Sequence, residues 1–135
     1  MTPRSRTDTQ SVESEVEPAL VVALLTDPRR LPEWAPAFAD AVEAGSGTGW
    51  RVRKDGREFA LRVALNEDAG TVDYLREVAP GREGGAYLRV IARPGGGSVI
   101  VMTVPRASGA DSAAASSTLL EELGALSRLV AAEQR

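Results

Sequence analysis

DPRRLPEWAPAFADAV, Asp27 to Val42, is where a helix has to stop, turn and hand over to a sheet. Pro28, Pro32 and Pro36 recur every four residues. Each removes a backbone donor and biases the residue before it away from the helical region, so only short helical turns fit between them. Trp34 and Phe38 sit in this broken segment, four residues apart. Two readings stand side by side: the pair forms the lid or wall of an apolar cavity, or it plugs an ordinary core.

Upstream, residues 1–9 are polar and include Pro3, and they read as a disordered leader to a single domain over 10–135. In QSVESEVE, residues 10–17, Val12 and Val16 lie an even number apart with polar residues between them. That spacing predicts a half-buried strand near a sheet edge. Pro18 then starts PALVVALLTD, a short helix with Leu20, Val21, Leu24 and Leu25 at helical spacing, closed by Asp27-Pro28.

Downstream the period changes to two. Ala39 to Gly45 and Trp50 to Lys54 are candidate strands across the turn GSGTG, and Asp55-Gly56 is the strongest hairpin signal in the chain. Phe59, Leu61, Val63 and Leu65 alternate with wetter positions, as in an antiparallel strand with one face on a core. Thr71 to Val78 follows, with Val72, Tyr74 and Arg76 on one side. Pro80 to Gly85 reads as a Gly-rich loop, and RPGGG at 93–97 separates strands 86–92 and 98–104.

After a small, polar stretch in which Asp111 or Ser112 is a plausible N-cap, a long helix is expected. Leu119, Leu120, Leu123, Leu126, Leu129 and Val130 fall in a stripe close to the 3.6 period. Glu121, Glu122, Arg128 and Glu133 fall mostly off it. Gly124 within the helix marks close approach to the sheet or is simply tolerated.

Composition narrows the chemistry. A chain of 135 residues with 43% hydrophobic and 26% charged residues is that of one ordinary globular domain. No apolar run is long enough to cross a bilayer and residues 1–10 lack an apolar signal segment, so a cytoplasmic location without stable membrane insertion is the default. Net charge −3 argues against broad attraction to nucleic acid. Lys54 is the single lysine among 16 basic residues, a bias toward Arg that reads as GC-rich coding and lowers the weight of any lone Arg. Cysteine and histidine are absent. Thiolate and imidazole catalysis and nearly every zinc site are thereby excluded, and no metal or cofactor is expected. Neither GSGTG nor PGGG follows a phosphate-loop pattern.

The order strand, two short helices, about six strands, long helix is α+β, an antiparallel sheet with helices on one face. In this order the chain resembles the SRPBCC superfamily, the helix-grip fold of START lipid-transfer domains, the birch pollen allergen type and bacterial polyketide cyclase/dehydrase-like proteins. The residues that carry the resemblance are 27–42, GTVDY at 70–74, YLRV at 87–90 and GGSVIVMT at 96–103. It implies a seven-stranded antiparallel sheet wrapped around the last helix and a cavity for an apolar ligand.

Such a cavity draws its candidate wall from Trp34 and Phe38, from strand positions Trp50, Phe59, Leu61, Val63, Tyr74, Tyr87 and Met102, and from Leu119, Leu123 and Leu126 of the helix. For each, core filling competes with ligand contact. The resemblance brings forward Asp73, Tyr74 and Arg89 as candidate catalytic groups. A buried Asp would have a raised pKa, whereas cross-strand pairing of Asp73 with Arg89 would make both structural. Glu58, Arg62, Arg76 and Arg93 read as solvated-face charges.

Three functions follow from these readings. The first is non-enzymatic binding or transport of a small hydrophobic molecule of lipid, polyketide or isoprenoid type. The second is a metal-free cyclase or dehydratase that moves a proton with a carboxylate or Tyr. The third is an interaction module with a collapsed cavity, paired with a second copy of the chain or with a neighbouring gene product. Fold alone does not decide among them.

Overall fold

In the computed structural model, which describes residues 7–105 and 112–134, seven strands form one antiparallel sheet. The order along it is β1 (Thr7–Ser14), β7 (Ser98–Pro105), β6 (Arg82–Ala92), β5 (Thr71–Ala79), β4 (Arg57–Asn66), β3 (Trp50–Lys54), β2 (Ala41–Ala44). Between β1 and β2 in the chain come α1 (Pro18–Leu25), a 3-10 turn (Pro28–Arg30) and α2 (Leu31–Trp34). After β7 comes α3 (Ser112–Glu133), which packs chiefly on β1 and α2. This is the helix-grip arrangement, with β1 at one edge of the sheet.

Local chemistry explains the corners. Asp55 and Gly56 both have positive φ, 52° and 77°, the backbone that a two-residue hairpin between right-twisted strands requires. At the far end of the sheet the N–H of Gly97 donates to Glu17 Oε1 at 3.0 Å and the Ser98 hydroxyl donates to the Val16 carbonyl at 2.6 Å. These bonds tie the β6–β7 turn to the entry of α1. Arg93, expected as a solvated charge, donates from Nε to the Gly96 carbonyl at 2.8 Å and braces that turn.

Two boundaries differ from expectation. β1 starts at Thr7, so residues 7–9 of the expected leader pair with Thr103–Pro105, while residues 1–6 lie outside the described residues. The Gly-rich loop at 80–85 shrinks to a turn at Pro80-Gly81, because Gly84 and Gly85 pair with Arg76 and Leu75 inside β6. A Cβ at Gly85 would run into the Tyr74 carbonyl oxygen, so glycine here lets two strands approach where other residues would part them. Of the two N-cap candidates, Asp111 lies outside the described residues and Ser112 is the first residue of α3.

The helices bury apolar faces slightly rotated from the expected ones. In α1 Val21, Val22, Leu24 and Leu25 are buried and Leu20 faces out. In α3 Leu119, Leu123, Leu126 and Val130 are buried, whereas Leu120 is 50% exposed. Gly124 approaches no sheet backbone: a Cβ there would meet only the Arg128 side chain. The core closes with Val52, Leu61, Val72, Leu88 and Ile100 from the inner face of the sheet.

Candidate functional site

The broken segment holds its shape through its own side chains and those of the β3–β4 turn. Asp27 Oδ1 accepts from the Arg29 N–H at 3.1 Å and caps the 3-10 turn, with Pro28 at its first position. Lys54 Nζ donates to the Pro36 carbonyl at 2.9 Å, and Asp40 Oδ2 accepts from the Asp55 N–H at 2.9 Å. Trp34 and Phe38 are thereby presented to the inner face of the sheet. The Trp34 ring lies 6.2 Å from that of Tyr74, and Phe38 meets Phe59 edge-on at 5.5 Å.

An apolar cavity of about 470 Å³ opens between this segment, the sheet and α3. Trp34, Ala35 and Phe38 form one wall; Tyr74, Ala86, Met102 and Val104 form the sheet side; Ala115 and Leu119 form the helix side. The space between Trp34 and the last helix is open rather than packed solid. Its size lies within the range of small-molecule sites, which combine mostly apolar walls with a few placed polar groups.

Among the described residues four polar side chains besides Tyr74 line this cavity: Asp8, Arg76, Thr118 and Glu122. Asp8 accepts from Ser116 Oγ at 2.8 Å and from Gln10 Nε2 at 3.2 Å. Arg76 is half-buried, with its guanidinium 4.3 Å from the Phe59 ring centre, and it forms no ion pair among the described residues. Glu122 has no hydrogen-bond or ion-pair partner among the described residues, and burial, with the adjacent Glu121 charge, pushes its carboxyl up to about 7. A carboxyl poised there can give or take a proton near neutral pH.

Among the expected wall residues, Trp34, Phe38, Tyr74, Met102 and Leu119 border the cavity. Leu61, Leu123 and Leu126 are fully buried core residues away from it, and Val63 packs against that core. Phe59 stands behind the wall, between Phe38 and Arg76. Trp50 belongs to a separate hollow beside Gly45 and Gly49, with the Arg29 guanidinium 5.8 Å from its ring. Tyr87 alternates with the buried Leu88 and so points to the outer face of the sheet.

Of the two readings of Asp73 and Arg89, the cross-strand pair is the one the structure shows. Arg89 Nη1 donates to Asp73 Oδ1 at 2.7 Å on the outer face, and neither residue lines the cavity. The Tyr74 hydroxyl donates to the Leu25 carbonyl at 2.6 Å, and burial, reinforced by the Asp27 charge, drives its pKa far above the ordinary phenol value. Arg76, read as a solvated charge, lines the cavity instead. Its alternation with Val72 and Tyr74 on one face of β5 was the available signal. Glu122 lies three residues after Leu119 and four before Leu126, at the border of the buried stripe. Among the described residues no cluster of three or more His, Cys, Asp or Glu side chains could hold a metal ion, and no helix is long and apolar enough to cross a membrane.

Comparison with known proteins agrees with this architecture. The model of a family described as polyketide cyclase / dehydrase and lipid transport matches residues 6–131. Among solved structures, the ZhuI aromatase/cyclase from a Streptomyces species is similar at 20% identity, covering 96% of each chain with a TM-score of 0.65. A START superfamily protein from Mycobacterium smegmatis is 13% identical, over 92% of this chain and 96% of its own, with a TM-score of 0.64. An uncharacterised Bacillus thuringiensis protein is 17% identical over 92% and 98%, with a TM-score of 0.69. At such identities the likeness is one of fold. A search of curated proteins finds no significant match.

Proposed function

The chain belongs to the polyketide cyclase / dehydrase and lipid transport family, and from that premise we propose that it binds a small hydrophobic molecule in the cavity beside Trp34 without transforming it. The observation that carries this reading is the 470 Å³ of open, mainly apolar space gripped between sheet and helix. Uncompensated apolar surface of this kind gains from a guest that replaces water, at roughly 25 cal/mol per Å² covered. Micromolar binding, about −8 kcal/mol, is the expected scale.

Trp34 lines the cavity and Trp50 does not. A Trp50→Phe variant therefore leaves a single tryptophan reporting on occupancy. Titration of that variant with the neutral probe N-phenyl-naphthylamine should give saturable quenching or a blue shift. A panel of neutral apolar compounds that produced no saturable change would remove the binding reading.

One observation favours a second reading, that of a metal-free cyclase or dehydratase. Glu122 lines the cavity with a carboxyl that burial pushes up to about 7, whereas Asp73 is paired with Arg89 and the Tyr74 hydroxyl is bonded to the Leu25 carbonyl. Under this reading Glu122→Gln abolishes turnover of a bound substrate while leaving its binding intact. Equal turnover by the two forms would exclude it.

A further inference from the structure

Arg76 and Glu122 are both charged groups set against an apolar cavity, and neither answers the other. Most of the half-buried or exposed Arg side chains in the described residues have a carboxylate: Arg29 has Asp27, Arg62 has Glu83, Arg89 has Asp73. Arg76 has only the face of Phe59, so its remaining guanidinium donors point to no anion among the described residues. A partly desolvated guanidinium without an anion is costly, and a planar bidentate partner such as a carboxylate offsets that cost best.

Glu122 stands on the opposite wall. Arg76 projects from the sheet and Glu122 from the helix the sheet grips. Burial, with the like charge of Glu121 beside it, already disfavours ionisation of Glu122. Asp8, the third charged residue lining the cavity among the described residues, is occupied by Ser116 and Gln10, and the Tyr74 hydroxyl is committed to Leu25. Among the described residues the cavity thus offers one cation without an anionic partner and one carboxyl that is easily neutralised.

We propose that the ligand is an apolar molecule with a single carboxylate, held at Arg76, and that Glu122 takes up a proton when that ligand binds. This rests on the cavity being a binding site. A second negative charge in a low-dielectric cavity raises the cost of ionising Glu122, so bound ligand favours the protonated form. Below the point where free Glu122 titrates, the proton is already in place and affinity is constant. Above it, each bound carboxylate must bring a proton, and affinity falls by up to tenfold per pH unit.

The test compares dodecanoate with its methyl ester, by tryptophan fluorescence and by calorimetry in two buffers of different ionisation enthalpy. Dodecanoate should bind at least tenfold more tightly than the ester at pH 6, with the preference lost in Arg76→Gln and largely kept in Arg76→Lys. Above pH 7 dodecanoate binding should weaken and be accompanied by proton uptake, and Glu122→Gln should abolish both effects while the ester stays indifferent to pH. An ester that binds as well as the acid overturns the carboxylate assignment and leaves the cavity reading standing. A pH dependence that survives Glu122→Gln overturns the role of Glu122. No saturable binding of either compound overturns the proposal together with the reading beneath it. Thermal melts of each variant identify any that fail to fold, and for those the Arg76→Lys and wild-type comparison of acid with ester decides.

Discussion

The Tyr74 hydroxyl reaches from β5 to the backbone carbonyl of Leu25, the last residue of α1, at 2.6 Å. One side chain therefore does two things: its ring forms the wall of the cavity next to Trp34, and its tip locks the first helix to the sheet. A buried phenol committed to a carbonyl is a poor proton carrier, and burial raises its pKa further still. Tyr74→Phe should lower stability by about 1–3 kcal/mol, the cost of a buried carbonyl left unsatisfied. Its affinity for an apolar probe should change little. Chemical denaturation alongside a probe titration measures both, and a large loss of binding with unchanged stability would give the hydroxyl a ligand contact instead.

Glu122 sets a pH dependence of stability that runs opposite to that of a paired carboxylate. Its carboxyl titrates near 7 in the folded chain, above the ordinary value of 4.5. Between those points the folded state holds a proton that the unfolded chain has released, so stability falls as pH rises from about 4.5 to 7 and is level above. Discounted for partial exposure, the loss is on the order of 1–3 kcal/mol. Glu122→Gln should flatten this slope and raise the midpoint at pH 8 by several degrees, roughly 3–10 °C. Melting curves from pH 5 to 8 check it, and parallel slopes for the two proteins would contradict it.

Trp34 and Phe38, alike in sequence, separate in the structure. Trp34 is 2% exposed and contacts the core, while Phe38 is only half-buried against Phe59. Trp34→Ala should cost about 3–5 kcal/mol, as for a large buried aromatic. Phe38→Ala should cost less, about 1–2 kcal/mol, and weaken probe binding by a greater factor than it shifts the midpoint. Equal stability losses would place both residues in the core proper.

The fold was legible because it is written in periodicities. The Asp55-Gly56 hairpin, the alternation from Phe59 to Leu65 and the leucine stripe of α3 each mark one element, although Leu65 and Leu120 turn out exposed. The site was harder to read because its polar members break no rule visible in one dimension. Arg76 extends an alternating strand into the cavity at a position where a charge is usually solvated. Glu122 sits one step off the buried stripe, and only the empty space beside Thr118 and Leu119 turns that border position inward. Asp73 and Arg89 stand away from the site for the converse reason: their pairing across β5 and β6 faces out, since alternation put Val72, Tyr74 and Leu88 in. Gly85 hid a strand as a loop, because close approach of two backbones and a flexible turn both favour glycine.

The grip itself is testable by removal of its object. Leu119, Leu123, Leu126 and Val130 are buried against β1, β7 and the short helices. At roughly 1.5–3 kcal/mol each, these side chains supply gross transfer energy on the order of 6–12 kcal/mol, an upper bound. That is comparable with the whole net stability of a domain this size, about 5–15 kcal/mol. The clamp of Arg30 between Glu33 and Glu133 also depends on the end of α3, although its half-exposed partners contribute little by themselves. A chain ended before Leu119 should therefore lose its cooperative unfolding transition and bind hydrophobic dyes without saturation, since the inner face of β1 and β7 would be open to water. Circular dichroism and fluorescence melts read this directly. A truncated protein that still melts sharply near the full-length midpoint would mean that the sheet and the first two helices form a sufficient core, and that α3 covers the cavity without holding the fold.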